Sequence, residues 1–459
     1  MAEFTGTSGI DPLTGTSDDD IFEKLGSGAD TIDGYAGNDV VSYLQDGGEI
    51  GVAVTVGAGG NGAAVDTFGD TDTLISIEGF IGTEFDDRFE FGDGANFFVE
   101  GHLGADTFEL EAIEYGTISY RFLINDQIID FLNSVVGGVD IVGVHLDFAE
   151  GTVTKYNGEE DSFTQVDELE FRGTGTSDRL EGADDELTTY LEGMGGDDTL
   201  VGGDSFDYAK FRAEGDVIGA GFTVDLTEGT ATNAVNDDVD TLIGIRNVEG
   251  SDFDDVIIGD DEWNYFVGRG GDDEFSGGSG VDTVAYWGHV RDDVSITGIG
   301  SDTVTVEDIE GDWGTDMLDG IEAIAFDDGI LRLDIDGAAG QVYRLYQAAY
   351  VREPDSAGLE FYIGAVDRGT ITLPDLADQF VQADEFIENY GEDLTDEELI
   401  DIIYNNVLGR DADEGGKAFW TEQLAKPDVD AGDLLYFFSE SEENVDLVAP
   451  AIEDGIWLA

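Results

Sequence analysis

In residues 250–284 an aspartate or asparagine recurs every ninth residue: Asp255, Asn264, Asp273 and Asp282. Two residues after each stands an apolar side chain (Ile257, Phe266, Phe275, Val284), and five before each a glycine (Gly250, Gly259, Gly268, Gly277). Side chains that could do chemistry here are oxygen donors at fixed intervals, so the chemistry is cation binding. A nine-residue period of glycine turn, carboxylate and short apolar strand predicts a parallel β-roll. Each repeat has room for about six residues of turn and about three of strand, so that about two repeats complete one coil. Glycines are expected to supply backbone angles that other residues avoid, and the single apolar residue of each strand to point inward. Stacking then sets Asp255 over Asp273 and Asn264 over Asp282. Such a carboxylate ladder repels itself. A hard cation taking about six to eight oxygen ligands relieves the repulsion, and that describes Ca²⁺.

The same spacing recurs earlier. Asp11, Asp20, Asp30 and Asp39 follow one another at nine, ten and nine residues, and Asp87, Asn96 and Asp106 restart the pattern, as do Asp178, Asp198 and Asp207. These stretches resemble the RTX (repeats-in-toxin) family, whose motif is Gly-Gly-x-Gly-x-Asp-x-apolar-x; residues 34–41, 268–275 and 277–284 match it best. The resemblance implies several Ca²⁺ ions held by the motif aspartates and neighbouring turn carbonyls. Carried over residue by residue, the metal positions are Asp11, Asp20, Asp30, Asp39, Asp87, Asp106, Asp178, Asp198, Asp207, Asp255, Asp273 and Asp282. Asn96 and Asn264 depart from the motif, and an amide oxygen ligates more weakly than a carboxylate.

A chain of 459 residues is long enough for two or three domains. Its 18 basic and 106 acidic residues give a formal charge of −88, which excludes nucleic acid as a partner by repulsion. Apolar residues make up 41% of the chain, enough to fold rather than stay disordered. About a dozen Ca²⁺ ions would offset only about a quarter of the charge, leaving a solvated acidic surface. There is no cysteine, so no disulfide or thiolate site. The start, MAEFTGTSGIDPLTG, lacks the basic and apolar regions of a Sec signal peptide, and no apolar run is long enough for a membrane span. The RTX resemblance implies a different exit, through type I secretion machinery reading an uncleaved C-terminal signal; residues 451–459, acidic and then apolar, are compatible with one. Weak calcium sites of the extracellular kind fill at about 10⁻⁴–10⁻³ M, which places the folded protein outside the cell or on its surface.

The predicted fold class is mainly β: parallel β-roll or β-solenoid modules, a β capping segment, and a smaller all-α domain. Residues 1–290 read as about four copies of one module, in which a strand, a hairpin and an Asp-x-Leu-x-x-Ile segment precede three or four nonapeptides. Residues 124–135 read as a short helix outside the ladder, and residues 182–191 hold no aspartate in phase. In residues 291–335 alternating patterns predict antiparallel strands that cap the roll. Residues 336–459 are helical and duplicated at an offset of 58 residues, pairing Tyr346 with Tyr404, Arg352 with Arg410, Asp355 with Asp413, Gly358 with Gly416 and Phe361 with Phe419. Asp355 and Asp413 are expected to cap the helices that follow them, and Arg352 and Arg410 to pair with carboxylates. With its Leu-Gly-Arg-x-x-Asp-x-x-Gly motif at 408–416, this region resembles a helical domain of unknown function attached to RTX arrays and bacterial surface proteins; in the first copy Val351 replaces the motif glycine.

No constellation for catalysis is present. The three histidines, His102, His145 and His289, form no zinc motif, there is no Gly-x-Ser-x-Gly elbow, and the expectation is that the protein is not an enzyme. Two functions fit. One is a secreted structural protein that assembles with calcium into a surface layer, filament or matrix as a homo-oligomer or lattice. The other is a calcium-stiffened adhesin whose helical domain recognises a protein, a cell-surface glycan or lipopolysaccharide.

Overall fold

The computed structural model describes every residue except 1, 93, 111–114, 120–144, 148–150, 156–159, 164–167, 183–187, 204–206, 302, 310, 312 and 393. The helix expected at 124–135 lies outside the described residues. The chain divides into two compact units, residues 1–259 with 268–271, and residues 260–267 with 272–459.

The first unit is a coil of short parallel strands. Ala2–Thr5, Asp20–Glu23, Val40–Ser42, Gly79–Ile81, Asn96–Glu100 and Tyr115–Ser119 pair in succession, and the sheet continues through Glu168–Arg172, Thr188–Glu192, Tyr208–Lys210 and Asn247–Glu249. A second sheet carries the alternate half-coils, such as Pro12–Thr14 beside Thr31–Asp33 and Thr31–Asp33 beside Thr71–Ile75. Ala2 lies opposite Asp20, Ile21 opposite Val40 and Pro12 opposite Thr31, so one coil takes two nonapeptides, as the spacing predicts. Three-residue strands leave one inward position each. The apolar residue two after the aspartate fills it: Phe22, Ile32, Val41, Phe89, Phe108, Leu180, Leu200 and Ile257 are buried. Each such side chain contributes about 1.5–3 kcal/mol, and some stack from coil to coil, as Phe89 does on Phe108 at 5.5 Å.

Antiparallel excursions interrupt the coil and account for the jumps in aspartate spacing. Ala53–Gly57, Asn61–Val65 and Thr71–Ile75 form one; Phe222–Asp225, Thr230–Asn233 and Val239–Ile243 form another. The last strand of each returns to parallel pairing, Thr73 opposite Thr31 and Thr241 opposite Thr199.

In the second unit, Tyr265–Val267, Thr283–Tyr286 and Ala323–Phe326 pair in parallel, and Gly329–Arg332 and Ile456–Leu458 extend that sheet antiparallel. Val294–Thr297, Thr303–Asp308 and Thr315–Asp319 form the antiparallel strands expected in the capping segment. The last of them pairs in parallel with Glu274–Ser276. This segment is therefore the same excursion seen earlier in the chain, and the coil runs on through Asp316 and Glu322.

The helical part repeats helix for helix. Ala338–Tyr350, Ser356–Asp367, Leu373–Gln382 and Asp384–Tyr390 are followed, with starts 58 residues later, by Asp396–Leu408, Glu414–Leu424, Ala431–Ser439 and Glu442–Ile452. The duplication extends into the core, where Val342, Leu345, Leu376 and Phe380 are matched by Ile400, Ile403, Leu434 and Phe438, all buried. Asp355 and Asp413 accept the backbone N–H of Gly358 and Gly416 at 2.8 Å, the expected caps. Arg352 donates to Glu385 at 2.6 and 2.9 Å, and Arg410 to Glu443 at 3.2 and 3.1 Å.

Gly432 sits where Leu373–Gln382 crosses Ala431–Ser439. A methyl group built on it would stand 2.7 Å from the backbone nitrogen of Asp378 and 2.8 Å from its Cα. Alanine at a helix position normally gains about 1 kcal/mol over glycine. Here backbone contact outweighs propensity, so Gly432→Ala is expected to lower the melting temperature of the helical part; a rise would show that the two helices can move apart freely.

Candidate cation-binding ladder

The periodic aspartates face inward. Apart from Asp11, which is half-buried, the other eleven are at most 3% exposed. Their carboxylates take the place of a strand carbonyl. Several accept the backbone N–H of the residue one coil earlier: Asp30 from Asp11 at 2.8 Å, Asp39 from Asp20 at 2.8 Å, Asp106 from Asp87 at 2.9 Å, Asp198 from Asp178 at 2.7 Å. Asp282 accepts from Asn264 at 2.8 Å, placing the amide and the acid one coil apart as expected. Residues outside the nonapeptides continue the ladder: Asp72 accepts from Asp30, Asp161 from Asp106, Asp240 from Asp198, Asp316 from Asp273, and Glu78 and Glu322 from Asp39 and Asp282. The nonapeptide rule misses these six, because the excursions break the nine-residue spacing, and only Asp316 keeps a glycine five residues earlier, Gly311. For the aspartates the usable signal is an apolar residue two positions on: Leu74, Phe163, Leu242 and Leu318. Thr189 supplies the in-phase residue missing from 182–191, its hydroxyl donating to Asp207. Asn96 is exposed and takes no ladder position.

The glycine five residues before most of these aspartates serves the carboxylate rather than the backbone angle. A methyl group on Gly15 would lie 2.8 Å from Asp20 Oδ2, on Gly193 2.7 Å from the carboxyl carbon of Asp198, and on Gly277 2.6 Å from Asp282 Oδ2. Left-handed angles occur instead at the glycine two before the aspartate: Gly28, Gly37, Gly104, Gly196 and Gly280 have φ between 103° and 130°.

The residue four before the aspartate sorts the ladder into two classes. Where it is Thr or Ser, its backbone N–H holds the second carboxylate oxygen: Thr7 on Asp11 at 2.7 Å, Thr16 on Asp20, Thr83 on Asp87 and Ser251 on Asp255 at 2.6 Å, Thr174 on Asp178 at 2.5 Å. Gly203 does the same for Asp207 at 2.6 Å. Elsewhere that residue is left-handed: Gly26, Tyr35, Met194 and Gly278, with φ of 77°, 74°, 76° and 98°. The second oxygens of the corresponding Asp30, Asp39, Asp198 and Asp282 accept no hydrogen bond among the described residues, and neither does that of Asp72.

Asp106 belongs to the open class, with His102 left-handed four residues before it (φ 68°). Its Oδ2 is filled by Lys155, whose Nζ stands 2.8 Å from Asp106 Oδ2, 2.8 Å from Asp161 Oδ1 and 3.0 Å from the carbonyl of Gly104. On the other sheet of this unit, buried Glu170, Glu192 and Glu249 are met by Arg172, Lys210 and Arg269.

Burial raises the ladder carboxylates, open and held alike. It pushes Asp39, Asp87 and Asp255 up to about 6, and Asp72, Asp240, Asp282 and Asp316 up to about 7, with neighbouring carboxylates adding to the rise at all of these but Asp87. Burying an ionised carboxylate without a partner costs several kcal/mol, against a net stability of about 5–15 kcal/mol for a domain. A handful of ionised open rungs thus exceeds what the fold can carry, and a proton or a cation must be present. Among the described residues, no three His, Asp or Glu side chains converge as a metal-binding group. A hard cation fits only if one or two carboxylates are completed by turn carbonyls and water; carboxylate and carbonyl oxygens of this kind already meet Lys155.

Residues 377–448 match the family described as a domain of unknown function, DUF4214, within the duplicated helices. No curated protein matches the chain.

A raised carboxylate stabilises the fold fully below its unfolded value near 3.8, and that contribution is lost as pH rises through 6 to 7. Metal-free protein is therefore expected to melt at a higher temperature at pH 5 than at pH 7.5, with the slope reduced in a triple variant D72N/D240N/D316N. An unchanged slope in that variant would assign the effect to the acidic surface instead.

Proposed function

We propose that this is a secreted, calcium-binding structural protein of the RTX kind that folds outside the cell and self-assembles into a surface layer, filament or matrix. The observation that supports it is the row of buried, open carboxylates on Asp30, Asp39, Asp72, Asp198 and Asp282, in a chain made of repeats. Calcium would be held at these rungs, together with the ladder partners Glu78, Asp240 and Glu322 and the turn carbonyls. Bound there, it supplies the positive charge that lets the ladder stay ionised at neutral pH. The resemblance adds export by type I machinery, and the calcium requirement fits a protein that reaches its final structure only where the ion is millimolar. Catalysis has no part in this reading.

The alternative is an adhesin in which the coil is a stalk. Phe361 and Phe419, equivalent in the duplication, are 64% and 53% exposed, and such a pair favours a partner for the helical part, a surface glycan or a protein.

Protein purified in chelator should scatter little light, and on adding millimolar Ca²⁺ it should form sheets or filaments visible in negative stain that dissolve again in chelator. A calcium-loaded protein that stays monomeric would refute assembly and leave the adhesin reading.

A further inference from the structure

Six ladder aspartates have a left-handed residue four positions before them: Asp30, Asp39, Asp106, Asp198, Asp273 and Asp282. At Asp30, Asp39, Asp198 and Asp282 the second carboxylate oxygen is buried with no hydrogen bond among the described residues. At Asp106 the backbone is the same. Its N–H donates to the next carboxylate in the ladder, Asp161, at 2.8 Å, and Gly104 two residues before it is left-handed at φ 103°. The difference is the ammonium of Lys155, whose side chain, like those of Asp106 and Asp161, is completely buried.

We propose that Lys155 is a tethered counter-ion standing where the equivalent rungs take a calcium ion, so that this junction of the ladder closes without metal. The proposal rests on the calcium reading above. Among the described residues two carboxylate oxygens and one turn carbonyl meet the ammonium, and these are the ligand types a hard cation would use. A lysine ammonium is a compact point charge with three donors, suited to such a cluster of oxygens. An ammonium also answers the cost of removing one partner of a buried pair, about 3–5 kcal/mol, without depending on the ion outside. The rung between Asp106 and Asp161 would then form at any calcium concentration, and the open rungs only above the affinity of their sites.

The lysine's place can be tested by counting ions. Native mass spectrometry and equilibrium dialysis in saturating Ca²⁺ should give Lys155→Met one more bound calcium than the wild-type chain, and Asp106→Asn added to that variant should remove it. If Lys155→Met does not fold even in calcium, the comparison passes to two folded ladder variants. Asp161→Asn should leave the ion count unchanged, whereas Asp240→Asn, at the corresponding rung beside Asp198, should lower it by one. Equal counts for Lys155→Met and wild type, or equal losses for Asp161→Asn and Asp240→Asn, would overturn the proposal while leaving calcium binding intact. A wild-type chain that binds no calcium would overturn both.

Discussion

Everything in the coiled part depends on a buried carboxylate doing the work of a backbone carbonyl. A strand of about three residues has too few rungs to hold neighbouring coils by main-chain bonds alone. The aspartate side chain supplies one more acceptor, to the N–H of the residue one coil earlier. An apolar replacement would strand that N–H at a cost of about 1–3 kcal/mol. Keeping the acid ionised costs more unless a positive charge is near. The ladder is thus both the joint between coils and the main electrostatic liability of the fold.

The molecule meets that liability in several ways. Thr or Ser four residues before the aspartate turns backbone and hydroxyl donors onto it, as at Asp87 and Asp255. On the opposite sheet, buried glutamates alternate with Arg172, Lys210 and Arg269. At Asp106 a lysine reaches in. The open rungs have none of these, and there the choice lies between a proton and an external cation. In a chain with 18 basic residues against 106 acidic ones, internal cations are scarce, which makes a soluble one the economical solution.

Much of this was legible in the sequence because it is periodic. The spacing of nine, the inward residue two after the aspartate and the offset of 58 in the helical part correspond to the coil, its core and the doubled set of helices. Other features were hidden for identifiable reasons. Asp72, Asp161, Asp240 and Asp316 return to the ladder after antiparallel excursions, so their place depends on where those strands rejoin the sheet. The capping strands looked like an end to the coil because alternation is conspicuous there, whereas the parallel pairing of Glu274–Ser276 with Thr315–Asp319 leaves no local mark. The glycine five residues before most ladder aspartates suggests a special backbone angle, but its cause is the volume of a carboxylate packed on its Cα. Lys155 carries no sequence signal at all, since its partners Asp106 and Asp161 come from different coils.

The central claim is that the open rungs need a cation at neutral pH. It is tested most directly by far-ultraviolet circular dichroism of chelator-treated protein at pH 7.5 during a calcium titration, with bound ions counted in parallel. A cooperative rise in β-signal that tracks ion uptake, while the helical signal of residues 338–452 is already present, is the predicted result. Full β-signal in chelator, unchanged by calcium, would contradict it and show that the ladder folds with its carboxylates protonated or otherwise relieved.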